Sequence, residues 1–460
     1  MSDPEAVRGD TSPLATKGAA TRSRGHTLAM LVAIYTMSFV DRNILYVVAP
    51  SVQTELGLND MELGLLSGLA FAFFYAVMAL PIARLAERRS RVALMAGALL
   101  LWSVMTALCG AASKFWHLFA ARLGVGVGEG ACTPCAQSII CDLYPPEKRA
   151  TALSTYAIGV PLGVMIGGMG GAIVADMLGW RGAFVMAAIP GLILAAVFWL
   201  TVPEPRRGAN EAARYVDAAA PSLRAVAARL WQSASFRHTA LGCAVASVPG
   251  NALQMFFIVY LVRVHGLDLL TAGISFGLFA GVTGAIGMFW GGRITDLFAK
   301  RDVRAYGLVP AITFICLPPL LAAALTRDSL LALSLFILVP ATTYVFNIGA
   351  SYAVTNNLVE PRMRATTNAI LLLIITIFGA GIGPALVGWV SDRFAAGYFG
   401  PGYALQCIAS SNASPLSQSC AAASAYGIKL ALIATSAFYF WSAAHYFRLS
   451  SKIRRELPQP

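Results

Sequence analysis

The chain has 460 residues, 57% of them hydrophobic and only 12% charged, roughly half the charged share of an ordinary soluble domain. A soluble globular fold is excluded, and with it the nucleic-acid partner that a formal net charge of +12 would suggest in a soluble protein. The apolar runs are long and carry internal Gly and Pro, whereas barrel strands alternate over about ten residues, so the expected fold class is an all-α, multi-pass membrane protein.

In chain order, residues 1–26 are polar, with Pro4, Gly9, Pro13 and Gly18, and lack an apolar core before a small-residue cleavage site. They read as a disordered tail, not a signal peptide. Spans are expected near 28–50, 62–83, 92–112, 115–142, 151–178 and 183–202, giving a six-helix unit over 27–202. A segment over 203–236 follows, punctuated by Pro203, Pro205 and Pro221; Arg224, Arg229 and Trp231 suit an interfacial helix there. Six more spans near 238–263, 270–295, 305–325, 329–357, 365–391 and 426–447 make a second unit over 237–447, with a tail over 448–460. If the N-terminus is inside, 26 of the 34 Lys and Arg fall in tails and cytoplasmic loops. Lys114, Arg181, Arg263, Arg327, Arg393 and Lys429 then lie outside, and both termini should be cytoplasmic, in the cell membrane (the inner membrane of a bacterium).

The two units are related. Ala83–Glu87 is echoed by Gly292–Asp296, and Asp142–Thr151 by Asn357–Thr366, matching Leu, Pro, Arg, Ala and Thr. Asp176 finds Asp392. These matches keep their order in polar loops, so the chain is read as two six-helix repeats, parallel because each holds an even number of spans, with substrate between them.

Within the spans the only ionisable residues singled out are Asp41, Arg42, Arg122 and Glu129, each costing roughly 2.5–3.5 kcal/mol at a bilayer centre even on the lenient scale. Asp41 and Arg42, about 100° apart on a helix, cannot both point the same way; Arg122 and Glu129 share a face about 10 Å apart, room for a headgroup or water. The second half carries Asn251 and Tyr344 at the matching places. Either the four charges neutralise one another and lock helices, or a carboxylate facing a cavity carries a proton. Gly124, Gly126, Gly128 and Gly130 follow no strand and so are packing glycines, not a dinucleotide fingerprint. Cys132 and Cys135, inside an apolar helix, are likewise packing. Cys407 and Cys420 bracket a Ser/Ala/Asn-rich outer loop, where a disulfide forms only if that compartment is oxidising. Glycines and prolines at Pro161–Gly171 and Gly379–Pro384 recur at equivalent places and suit rocking.

Arg84–Arg91, Arg122–Gly130 and the Pro161/Gly163 region resemble signature motifs of the major facilitator superfamily. Asp41-Arg42, Trp102-Ser103, Gly124–Gly130 and Asp142-Leu143 resemble its Spinster family of lipid transporters. Ala83, Glu87 and Ser90 depart from the usual glycine, aspartate and glycine of the loop motif. The resemblance implies alternating access for a lysophospholipid or sphingosine-phosphate type lipid. It places the anionic headgroup at Arg42, titration at Asp41 and Glu129, and a cytoplasmic gate at Glu87, Arg88, Arg91 and Asp142, with Asp296 as the repeat counterpart. Arg122, Asn251 and Tyr344 complete the expected substrate site. A monomer without metal or organic cofactor is expected, with a proton as coupling ion. The alternatives are a transporter of small organic anions or drugs, indifferent to acyl-chain length, and a lipid-modifying membrane enzyme; His26, His117, His238, His265 and His445 all sit at or near span ends, which speaks against the enzyme.

Overall fold

The computed structural model describes residues 13–207, 223–360, 363–408 and 417–456; the side chains of residues 13–23 and of scattered positions such as Glu87 lie outside the description. No strand occurs among the described residues. The N-terminal half comprises α1 (Pro13–Leu56), α2 (Asp60–Ser67), α3 (Leu69–Arg88), α4 (Arg91–Gly110), α5 (Phe115–Glu129), α6 (Cys132–Leu143), α7 (Pro146–Ala157) and α8 (Gly159–Thr201). A surface helix α9 (Leu223–Gln232) leads to α10 (Ala234–His265), α11 (Leu269–Ala299), α12 (Ala305–Leu325), α13 (Leu330–Thr343), α14 (Phe346–Asn357) and α15 (Arg364–Thr376). A π-helical turn, Ile377–Ile382, then precedes α16 (Gly383–Phe399), α17 (Ser417–Ser436) and α18 (Phe438–Glu456). Helix is the form these runs must take, because in hydrocarbon each backbone N–H and C=O needs a partner within its own segment.

Ten helical stretches among the described residues are long and apolar enough to cross a membrane. They differ from the expected pattern in two places. Thr151–Thr201 is continuous because Gly179, at φ +70°, lets one span turn directly into the next. Phe115–Leu143 is interrupted at Gly130–Ala131. The second half breaks at the equivalent point, Tyr344–Val345, between α13 and α14.

Several boundaries move. Helix α1 already begins at Pro13, so residues 13–26 continue it instead of forming a tail. Helix α10 starts at Ala234, shortening the connecting segment. Helix α18 runs on to Glu456, because Leu449 and Ile453 are buried in the core of the C-terminal half and Glu456 accepts the Ala234 N–H at 3.0 Å, so residues 448–456 are helix as well. Cys407 and Cys420 are disulfide-bonded.

His26 bonds Thr201 at 2.9 Å and Arg454 pairs with Asp302 at 2.6 Å; Glu456 meets the start of α10, and Arg263 at the end of α10 bonds Gln53 at the end of α1, so the helix ends nearest both termini share one face, here the terminal face. Helices α1, α4 and α12 therefore end on the opposite, far face. Among the described residues three apolar clusters draw their buried members from single halves, whereas the largest joins Val47, Val52 and Leu63 to Met255, Phe256 and Val387. That joint is close: a Cβ on Gly64 would come within 2.3 Å of the Pro384 carbonyl oxygen, and one on Gly168 within 2.4 Å of the Gly277 Cα. Only glycine permits such crossings.

Candidate functional site

Three helices of the N-terminal half bring the membrane-interior charges together. Glu129, the last residue of α5, is fully buried. Its Oε2 accepts from Ser38 Oγ at 2.6 Å and Arg42 Nε at 2.8 Å, and Arg42 Nη2 completes the ion pair at 2.7 Å. Arg42 keeps 19% of its side chain exposed and lies over three aromatic rings, Phe39, Phe71 and Tyr75, at 4.7–4.8 Å. Such stacking suits the weakly hydrated guanidinium better than an ammonium.

Asp41, one residue earlier, points away to α4, where Thr106 Oγ1 donates to it at 3.3 Å. Arg122 lies 5.2 Å over Phe71. Among the described residues Asp41 Oδ1, Glu129 Oε1 and Arg122 Nε have no hydrogen-bond partner although all three are buried. Natural interiors rarely leave such groups unmatched; the two carboxylate oxygens can accept a proton or a donor from water or ligand, and Arg122 Nε can donate to a water or ligand oxygen. The partner of Glu129 is thus Arg42 on α1 and not Arg122 on its own helix.

In the C-terminal half Tyr344 sits at the α13–α14 break and accepts from Gln254 Nε2 at 2.7 Å, while Asn251 donates to the Ser247 carbonyl at 2.9 Å. An apolar recess, half open to its surroundings, adjoins Tyr344, lined by residues that include Leu253, Gln254, Phe257, Phe276 and Ile337. Polar capacity at one end and hydrocarbon-like walls elsewhere fit an amphiphile.

At the terminal face Arg91, 2% exposed in its side chain, pairs with Asp142 on α6 and, at 2.7 Å, with Glu204 just beyond α8. It also donates to Ser138 Oγ at 2.9 Å and to the Pro205 carbonyl at 2.8 Å. Burial alone would push the Glu204 carboxyl up. The Val92 amide, the Arg91 guanidinium and the Ser90 hydroxyl outweigh it and hold Glu204 below the usual glutamate range. The expected cytoplasmic gate therefore contains a clasp whose observed partners all belong to the N-terminal half. Sequence reasoning placed Arg91 and Asp142 here but missed Glu204, which follows a span and precedes Pro205. Arg88 is exposed, Asp296 accepts from Tyr306 at 3.5 Å, and the Glu87 side chain lies outside the described residues.

Because the folded state lowers the Glu204 pKa, its stabilisation is present above the unfolded value of about 4.3 and fades as pH falls through the folded value. Glu204→Gln should therefore be less stable than the parent at pH 7, by no more than about 1 kcal/mol because solvent screens this exposed carboxylate, and the gap should close as pH falls through the folded value; a gap constant with pH would exclude the ionised clasp.

The profile of the Major Facilitator Superfamily matches residues 31–384. An MFS-type efflux pump of Mycolicibacterium smegmatis is 32% identical over 366 residues, 79% of this chain and 84% of that protein. Protein spinster homolog 1 of Homo sapiens is 29% identical over 391 residues, 80% of this chain and 72% of that one. The chain superposes with a TM-score of 0.88 on a crystal structure of a bacterial homolog of the human lysosomal transporter Spinster, inward-facing and unoccupied. That structure is 31% identical in sequence, and the match covers 95% of this chain and 99% of the other. The occupied inward-facing form gives 0.82.

Proposed function

The chain belongs to the Major Facilitator Superfamily and, within it, to the Spinster transporters; from that premise we propose that it moves an amphiphilic anionic lipid of lysophospholipid or sphingosine-phosphate type by proton-coupled alternating access. One observation carries this reading: a partly exposed membrane-interior arginine, Arg42, rests on three aromatic rings and a buried carboxylate. An anionic headgroup competing for the Arg42 fork would free Glu129 to take a proton, which links substrate and proton at one residue. Asp41 serves as the second proton acceptor and Arg122 as a neighbouring cation. Asn251 and Tyr344 offer hydrogen bonds from the opposite half, and the apolar recess takes the chain. Glu87, Arg88 and Asp296 form the gate at the terminal face, beside the Arg91–Asp142 clasp that stays within the N-terminal half, and the positive-inside bias assigns this face to the cytoplasm.

The likeness to an efflux pump supports a second reading, export of small organic anions or drugs. Thermal shift on the purified protein separates the two. Lysophospholipids of eight to eighteen carbons should stabilise it increasingly with chain length, while the matching headgroup alone should shift it far less; equal shifts for headgroup and full lipid would favour the drug-type transporter.

A further inference from the structure

A second cluster of buried charge lies at the far face, and it joins the two halves. Asp60, the first residue of α2, is 3% exposed. Its Oδ1 accepts from Arg263 Nη2 and from Gln53 Nε2, each at 2.7 Å; its Oδ2 accepts from Arg263 Nη1 at 2.9 Å and Ser391 Oγ at 2.6 Å. Arg263 also donates to Gln53. Asp392, from α16, accepts the backbone N–H of Asp60 at 3.1 Å and of Met61 at 3.0 Å. The carboxylate of one half thus caps the first turn of a helix in the other, beside the Asn59–Glu62 capping box.

We infer that Asp60, Arg263 and Asp392 form the latch that holds the far face shut, and that opening this face requires both the Asp60–Arg263 pair and the Asp392 cap on α2 to break. Apart from Gln53, every side-chain partner of Asp60 comes from the opposite half, so the bonds cannot survive separation of the halves. A bidentate arginine–carboxylate pair is short-ranged and directional, and once parted each group is hydrated instead of stretched. The cluster therefore has two discrete arrangements, closed and dry or open and wet, as an alternating element needs. Two carboxylates face one guanidinium, and the α2 amides that hold Asp392 do so only while the face is closed. The Arg91 clasp differs in kind, because its partners ride on one half and survive rocking. The latch rests only on the halves moving against each other, not on the substrate or the coupling ion.

Double electron–electron resonance in lipid nanodiscs tests it. Trp116, at the start of α5, is 70% exposed and Leu331, at the start of α13, 71%; both lie at the far face, one on each half. Spin labels are placed there with Cys141 and Cys316 replaced by serine. Asp60→Asn and Arg263→Gln should each raise the ratio of long to short distances about tenfold or more, and the double variant should do no more than the stronger single. Ser391→Ala, a milder change, should raise it about threefold, and it decides the matter if either charge variant fails to fold. Unchanged distances in the variants that fold, or effects of Asp60→Asn and Arg263→Gln that simply add, would overturn the latch.

Discussion

Glu129→Gln is expected to leave a folded protein that has lost the pH dependence of its transport. The glutamine keeps the shape and can still accept from Ser38 and Arg42, so the local hydrogen bonds at 2.6–2.8 Å remain available. It cannot take up or release a proton. If one obligatory proton passes through Glu129, transport in the parent should change by up to about tenfold per pH unit where it responds to pH, and in the variant by less than about twofold. Initial rates in proteoliposomes at fixed lipid concentration, with internal and external pH stepped together, measure this. A variant profile parallel to the parent's would remove Glu129 from the proton path and leave Asp41 as the candidate.

Arg42 carries the second large expectation. Arg42→Ala leaves Glu129 buried without its cation, and breaking a buried pair in this way costs about 3–5 kcal/mol of stability. It also removes the fork offered to a headgroup. Arg42→Lys keeps the charge but loses the planar donors and the fit to Phe39, Phe71 and Tyr75, so phosphate-bearing lipids should bind about tenfold more weakly. Pairing Arg42→Ala with Glu129→Gln should recover most of the stability and none of the headgroup affinity. A neutral lipid with the same chain should bind all three variants nearly alike. Equal losses for charged and neutral lipids would make Arg42 a purely structural partner of Glu129.

The interior charges were legible in the sequence because ionised residues inside long apolar runs stand out: Asp41, Arg42, Arg122 and Glu129 do meet around α1, α4 and α5. The repeat was legible too, and it marked Tyr344 near the helix break that mirrors Gly130. Which arginine holds Glu129 was not. That depends on the rotation of α1 against α5, which residue spacing within one helix does not set. The far-face latch was missed for a different reason. Asp60, Arg263 and Asp392 sit at span ends, where charge costs little and looks ordinary, and Asp60 and Arg263 lie 203 residues apart. The Asn59…Glu62 capping pattern was the available signal, since it fixes the start of α2 and so the place of Asp60.

The most direct measurement of the whole account is uptake of an acyl-bearing lysophospholipid into proteoliposomes carrying a proton gradient, compared with uptake at equal pH and with the headgroup compound alone. Gradient-driven accumulation of the lipid that exceeds the equal-pH control, is absent for the headgroup compound and is lost in Glu129→Gln is the predicted result; lipid movement indifferent to the gradient, or equal transport of the chainless compound, would contradict it.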